Sequence, residues 1–372
     1  MKGNTRMKVL LCGGGTAGHI SPAIAIAEEI INRDKDASIL FIGREGGKEN
    51  EAVVKAGFRL KTIKIQGLKR SFSISNITRI FKAIEAKQKV RKMIQDFAPD
   101  IILGTGGYVC WPIILAGKEM SIPVAIHESN VSAGLTTRLL AKKCDRVFLG
   151  KEETKHSLNK KAKTLTVGNP LQKAFTEVTR KEARRILGIK DNEIFILSFG
   201  GSIGADKLNQ VLLKIMKNHS AKIPHIKHTH ATGQRYYDSL ESEYKKGILN
   251  GCNVLPYIND MPIALNAADI VICRGGAITI SELAAVGVAA IIIPSPNVSE
   301  NHQFKNAEYL SKKDAAAVIE EKNLSEESLL TQLLELETDK NRRKNRAKKI
   351  KEFAALNSAK NIVDELFLIK NN

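Results

Sequence analysis

The sequence predicts an α/β protein built as two Rossmann-like domains, and three observations carry that reading. Short apolar runs rich in β-branched residues alternate with longer stretches of helical periodicity, the pattern of βαβ units around a buried parallel sheet. Two strand, glycine-turn, helix openings, "KVLLCGGGTAGH" from Lys8 and "FILSFGGSIGADKLNQ" from Phe195, echo one another across the chain. A length of 372 residues favours two domains over one.

Strands are expected at Lys8 to Cys12, Ser38 to Ile42, Ile101 to Leu103, Val124 to His127 and Arg146 to Leu149. In the second half they are expected at Ile194 to Phe199, Ile226 to His230, Ile270 to Cys273 and Ala290 to Ile293. Most are apolar on both faces, as strands covered by helices on either side must be. The stretch "VGNPLQ", Val167 to Gln172, separates the two openings and places the domain junction near residue 170.

Charge and cysteine usage narrow the class. The formal net charge is +19, and residues 1–170 hold 29 Lys and Arg against 15 Asp and Glu, so the basic excess lies in the first half. A field of that sign attracts nucleic acid, anionic lipid or a phosphorylated substrate. Five scattered cysteines with no C-x-x-C pair suit reduced thiols rather than a disulfide or zinc framework. The uncharged run Ile101 to Gly117 is too short and too rich in Gly and Pro to span a bilayer as a helix, so a soluble or peripheral protein is expected.

The motifs sit where strands end. In "GGGTAGHISP" the glycines let backbone approach a ligand, and a helix start that follows favours anionic groups. Ser21 as N-cap and Pro22 in the first turn would leave His19 in the loop. Arg44 stands before Glu45 where an acidic ribose ligand would end the second strand, which keeps an NADP oxidoreductase open. "GTGGYVCWP" and "HESN" each follow a strand of the same half. Tyr108, His127, Glu128 and Asn130 can thus offer hydroxyl, imidazole, carboxylate and amide to a sugar, with Glu128 as base or as the group that orients a histidine.

In the second half, "CRGGAITISEL" presents the amides of Gly276, Ala277 and Ile278 to a diphosphate at a helix N-terminus, with Glu282 two turns in to accept from a ribose. "GGSIGA" adds Ser202, and "SENHQFKNA" adds His302 and Gln303. His228 and His230 share a strand face beside His225, but no carboxylate or cysteine completes a metal shell, so no metal is expected. Ile77, Ile80, Phe81 and Ile84, interleaved with Arg79 and Lys82, form either a core-facing stripe or a segment resting on anionic lipid. Eight Lys or Arg between Lys340 and Lys351 read as a solvated helix face, or as contact with a polyanion.

Taken in order, "GGTAGHISP", "GTGGYV", "HESN", "VGNP", "GGSIGA", "YINDM", "CRGGAITISE" and "HQFKNA" resemble the MurG family of bacterial peptidoglycan N-acetylglucosaminyltransferases, from Met7 to about Glu320. The resemblance implies the GT-B fold, two Rossmann-like domains with a deep cleft. Residues 1–168 would take the lipid-linked acceptor and the membrane, residues 169–357 would take UDP-GlcNAc, and a last helix in 358–372 would cross back to the first domain. It implies transfer of GlcNAc to the C4 hydroxyl of MurNAc-(pentapeptide)-pyrophosphoryl-undecaprenol with inversion. The products would be a β-1,4-linked lipid disaccharide and UDP, with no metal or other cofactor.

Carried over residue by residue, the resemblance implies donor contacts at Thr16, Ala17, Gly18, Asn130, Gln172, Ser202, the backbone of Ile258, Ala277, Ile278, Thr279, Ile280, Ser281, Glu282 and Gln303. His19 would be the base, Tyr108 and Glu128 further catalytic groups, and His127 and Asn209 linked to activity. Ala17, Ser129, Gln172 and Ile203 depart from the family's usual Gly, Gln, Arg and Gln. Expected partners are anionic phospholipids at the cytoplasmic face of the cell membrane, where the protein would be peripheral, and other cell-wall synthesis proteins; nucleic acid is not expected. The alternative is another UDP-sugar enzyme of this fold, a UDP-GlcNAc 2-epimerase or a transferase with a different acceptor.

Overall fold

A computed structural model describes residues 6–47, 50–65, 88–201, 204–240 and 249–371. The apolar stripe at residues 77–84, the expected donor contact Ser202 and the departure Ile203 lie outside them. The chain divides into two compact units, Met1–Gln172 with Ala355–Asn372, and Lys173–Ala354.

Unit 1 is built on strands β1 (Lys8–Cys12), β2 (Ser38–Arg44), β3 (Arg59–Ile63), β4 (Ile101–Gly104), β5 (Val124–Glu128), β6 (Arg146–Leu149) and β7 (Thr164–Thr166). Among the described residues they form one sheet in the order β3-β2-β1-β4-β5-β6-β7, with every pairing parallel. The register sets Cys12 opposite Ile42 on one side and Gly104 on the other. Strand order therefore reverses between β1 and β4, and a switch point of this kind leaves a crevice beyond the strand ends. "GGGTAGH" follows β1 and "GTGGYV" follows β4, so both glycine loops meet there.

Both faces of this sheet are covered. One face packs Leu10, Ile102, Ile126 and Val147 with Ile113 and Ile114; the other packs Leu11, Phe41 and Phe148 against Ile20, Ile24 and Ile26 of the helix Ala17–Arg33. The terminal helix Ser358–Asn371 joins this second layer through Ile362, Val363 and Leu366, all fully buried. Each such side chain contributes about 1.5–3 kcal/mol of burial. Arg33 with Asp364, Arg146 with Glu365, and Lys370 with Asp100 at 3.0 Å tie the helix down at its rim.

Unit 2 repeats the design with β8 (Ile194–Phe199), β9 (Ile226–Ala231), β10 (Cys252–Leu255), β11 (Ile270–Cys273), β12 (Ala289–Ile292) and β13 (Ala317–Val318), in the order β10-β9-β8-β11-β12-β13. Its switch point falls between β8 and β11, where "GGSIGA" and "RGGAITISE" emerge. The basic run forms the helix Lys340–Lys351, which is only in part a solvated face. Arg346 and Ile350 are buried, and Arg342 and Lys349 reach Asp314 at 2.6 and 3.0 Å.

Candidate active site

The first helix begins earlier than the sequence suggests. It runs Ala17–Arg33 with Thr16 as the extended N-cap residue, so Pro22 lies inside it and Ser21 does not cap it. His19 is therefore in the first helical turn rather than in the loop. Its N–H donates to the Thr16 carbonyl at 3.1 Å, and the buried Thr105 hydroxyl donates to the His19 carbonyl at 2.5 Å. Pro22, the sixth residue of this helix, has no N–H to give back to the preceding turn, so one intrahelical bond is forfeited there. Ala17 holds the first helical position.

The His19 ring is seated by glycine. Its Nδ1 lies 2.9 Å from the Gly14 carbonyl oxygen. A carbonyl only accepts, so Nδ1 carries the proton and Nε2 keeps a lone pair, the tautomer a general base needs. Gly106 and Gly107 hold φ of +111° and +83°, a region closed to most side chains. A Cβ on Gly106 would stand 2.7 Å from His19 Cδ2, and one on Gly107 would stand 2.1 Å from the Gly14 oxygen. Gly107→Ala is expected to lower turnover at least about tenfold by unseating the ring, with UDP affinity unchanged; equal turnover would show that the seat is not needed. Tyr108 is half-buried, with Cε1 3.8 Å from the Cβ position of Gly15, so it shares this corner. Thr16 and Gly15 are exposed at its lip, and Gly18 is half-buried.

The end of β5 corrects two expectations. His127 is fully buried, donates from Nε2 to the Gly168 carbonyl at 3.0 Å, and has Ser129 Oγ 3.4 Å from Nδ1. Burial lowers its pKa, and this neutral ring braces the "VGNP" turn rather than offering an imidazole to a sugar. Glu128 is 6% exposed and accepts four hydrogen bonds: Oε1 from Asn130 N and Nδ2 at 3.1 and 3.0 Å, Oε2 from Gly134 N and Thr137 Oγ1 at 3.0 and 2.7 Å. A carboxylate so saturated has no lone pair in place to take a proton. Its work here is to hold the loop that presents the half-buried Asn130. Gln172 donates to Glu28 of the first helix at 2.9 Å, which ties the end of unit 1 to His19's own helix.

In unit 2 the helix Ala277–Val286 starts after Gly276 with no side-chain cap, and its first turn leaves amides without intrahelical partners. Gly275 is pressed against Gln303 of the helix His302–Ser311, whose carbonyl oxygen lies 2.5 Å from the Cβ position of Gly275. Asn306 Nδ2 donates to the Gly275 carbonyl at 3.2 Å. Gln303 accepts from Ser295 N through Oε1 at 2.9 Å, which leaves its amide nitrogen as the donor end of the side chain. Two expected contacts are spent inside the helix: the Ile280 N–H bonds to the Gly276 carbonyl with its side chain buried, and Ser281 Oγ donates to the Ala277 carbonyl at 3.0 Å. Ile278 and Thr279 occupy the open first turn with Ala277.

Glu282 is the informative residue of this unit. It is 9% exposed, and no hydrogen bond to its carboxylate is made among the described residues. Burial alone pushes its carboxyl up to about 7. Tyr257 stands in the neighbouring loop, its hydroxyl pushed up by burial and then by the charge of Glu282. That loop carries Ile258, whose side chain is buried and whose backbone groups make no hydrogen bond among the described residues. Here are a buried carboxylate that can accept from hydroxyls, a helix start of the kind that favours an anion, and backbone groups of the kind a base can pair with. Asn209 is 3% exposed and faces inward, donating to the Thr232 carbonyl at 2.9 Å.

Comparisons with known proteins match both units of the chain. The glycosyltransferase family 28 N-terminal domain matches residues 9–149, and the family 28 C-terminal domain matches residues 195–366. A UDP-N-acetylglucosamine--N-acetylmuramyl-(pentapeptide) pyrophosphoryl-undecaprenol N-acetylglucosamine transferase of Acetivibrio thermocellus is 39% identical over 366 residues, 98% of this chain and 99% of the relative.

The chain belongs to the MurG family.

Among solved structures, Acinetobacter baumannii MurG superposes with a TM-score of 0.72 at 27% identity, covering 98% of this chain and 99% of that one. A UDP-GlcNAc 2-epimerase of Neisseria meningitidis reaches a TM-score of 0.66 at 15% identity, over 97% of this chain and 100% of that one, which shows a shared fold alone. The fold is that of a GT-B glycosyltransferase, as the motif order implied. For a MurG family member, sequence reasoning missed Thr105 and the Gly14 carbonyl, which set the position and tautomer of His19. The one signal for Thr105 was a hydroxyl inside an otherwise apolar glycine turn.

Proposed function

We infer that this chain transfers N-acetylglucosamine from UDP-GlcNAc to a lipid-linked MurNAc-pentapeptide, the step of peptidoglycan synthesis that yields lipid II. The observation that carries the chemistry is His19, a ring with Nδ1–H spent on Gly14 and Nε2 left as the acceptor. Nε2 takes the proton from the C4 hydroxyl of the MurNAc residue as that oxygen attacks the anomeric carbon of GlcNAc. The bond to UDP breaks with inversion, and a β-1,4 link forms. Amides of the Ala277–Val286 helix start stabilise the departing diphosphate, with Gln303 on the sugar hydroxyls and Glu282 on the ribose.

This chemistry asks for no metal, and chelation with EDTA is expected to leave turnover unchanged; loss of turnover restored by one divalent ion would contradict that. Among the described residues no helix is long and apolar enough to cross a membrane. The reading places the protein at the cytoplasmic face of the cell membrane, where the basic excess of residues 1–170 meets anionic phospholipid and other cell-wall synthesis proteins.

Titration calorimetry tests the donor half directly. UDP and UDP-GlcNAc are expected to compete for one site per chain, while NADP does not displace them. Tight NADP binding that UDP leaves untouched would overturn the reading.

A further inference from the structure

Arg274 directly follows β11 at the switch point of unit 2, two residues before the glycine that opens the helix Ala277–Val286. An arginine at such a place suits a phosphate ligand. The structure turns it inward instead. Its side chain is 12% exposed and ion-paired with Glu321, in the turn after β13. That turn is held in its own right, because Lys207 Nζ of the helix Asp206–Asn218 donates to the Glu321 carbonyl at 2.6 Å. Arg274 Nη1 donates to the carbonyls of Ile293 and Pro294 at 3.2 and 3.4 Å, just beyond the end of β12. One guanidinium thus clips together the carboxyl ends of β11 and β12 and the turn that follows β13.

The bond to Pro294 reaches a residue already placed in the site. The Pro294 carbonyl and the Ser295 N–H belong to one planar trans peptide group, in which they point opposite ways. That N–H is the one Gln303 Oε1 accepts, at 2.9 Å. Arg274 and Gln303 therefore hold the two edges of a single peptide, and the plane of that peptide decides where Oε1 sits. A backbone N–H only donates, so the contact also settles which end of the amide is the donor. Gly275 closes the other side of Gln303, whose carbonyl oxygen lies 2.5 Å from the Cβ position of that glycine. If the Pro294–Ser295 peptide turned, Oε1 would lose its donor and the amide would be free to rotate.

We propose that Arg274 is a positioning residue for the sugar half of the donor, fixing through the Pro294–Ser295 peptide the direction in which Gln303 presents its amide nitrogen. The proposal rests on the reading in which unit 2 holds UDP-GlcNAc and Gln303 meets the sugar hydroxyls.

Titration calorimetry with UDP-GlcNAc and with UDP, on wild type, Arg274→Met, Gln303→Ala and the double variant, tests it. Arg274→Met is expected to weaken UDP-GlcNAc about tenfold, the worth of one hydrogen bond, and UDP by less than about twofold. In the Gln303→Ala background the same substitution is expected to cost less than about twofold further, because both changes remove one interaction. If Arg274→Met does not fold because Glu321 is left unpaired, adding Glu321→Gln removes that charge, and this protein is read in the same cycle. Equal weakening of UDP and UDP-GlcNAc overturns the proposal, as does a full further loss in the Gln303→Ala background. Folded protein lacking Arg274 with wild-type UDP-GlcNAc affinity overturns it as well. Gln303→Ala protein with wild-type UDP-GlcNAc affinity overturns the reading of Gln303 and the proposal with it, and wild-type protein that binds neither nucleotide overturns the donor reading itself.

Discussion

Replacing His19 with alanine is expected to lower kcat by about 10²- to 10⁴-fold, the usual worth of a positioned general base. UDP affinity should be unchanged, because the groups proposed to hold the diphosphate and the ribose, the helix start at Ala277 and Glu282, belong to unit 2. Three backbone elements fix the ring in place: the Gly14 carbonyl on Nδ1, and Gly106 and Gly107 against its face and edge. A group held this tightly loses little entropy when the acceptor arrives, which is where positioning gains rate. Gln or Asn at this position restores the hydrogen bond to Gly14 but not the basic nitrogen, so His19→Gln should remain within about tenfold of His19→Ala. A His19→Ala protein with near-normal turnover would remove the base assignment and leave the glycine seat without a function.

Glu282→Gln is expected to give the second large effect, with opposite signs for stability and binding. The carboxyl has an ordinary value near 4.5 and stands at about 7 in the folded protein. Below the ordinary value both states are protonated and burial costs nothing. As pH rises from there to about 7, the unfolded chain ionises first, so stability falls, and above 7 the full cost is present. The glutamine variant should therefore match wild type near pH 4 and be more stable at pH 8 by on the order of 3 kcal/mol, read by denaturant titration. Such a cost persists only where the charge is used. UDP binding should be weaker in the variant by about tenfold to a hundredfold at pH 8, since hydrogen bonds to a charged acceptor are worth about 1.5–3 kcal/mol. Wild-type affinity should fall as pH drops through 7 relative to the variant, whose own pH profile carries only the ligand's titration. Equal UDP affinity in the two proteins at pH 8 would remove Glu282 from ribose recognition.

The parts of the fold legible in the sequence were the buried ones. Every strand expected from an apolar run exists, with ends shifted by no more than two residues. The four strands that no run announced are β3, β7, β10 and β13, the two edges of each sheet. An edge strand is covered on fewer sides, so "RLKTI" and "TLT" have no need of a continuous apolar run, and "CNVL" alternates instead. The start of the first helix was misplaced because Ser21 and Pro22 are sound local signals. A tertiary bond from Thr105 and the packing of Ile20 outweighed them.

The site was legible where a residue type has one use and illegible where it has several. Glu282 on a helix that follows a glycine could be read as a ribose acceptor, and no hydrogen bond to its carboxylate is made among the described residues. Glu128 and His127 also follow a strand end, but their neighbours at Gly134, Thr137 and Gly168 lie 6 to 41 residues away and absorb their polar atoms. No spacing rule reports that. The histidines of β9 gave no sequence signal for Ser198 and Asn209, partners that come from β8 and the helix after it at separations of 21 to 32 residues.

The most direct measurement supplies purified protein with isotopically labelled UDP-GlcNAc and a short-chain analogue of the lipid-linked MurNAc-pentapeptide, then identifies the products by mass spectrometry and NMR. The expected result is one labelled GlcNAc joined β-1,4 to the muramyl residue for each UDP released. Release or epimerisation of the labelled sugar, with the muramyl acceptor unchanged, would contradict the assignment.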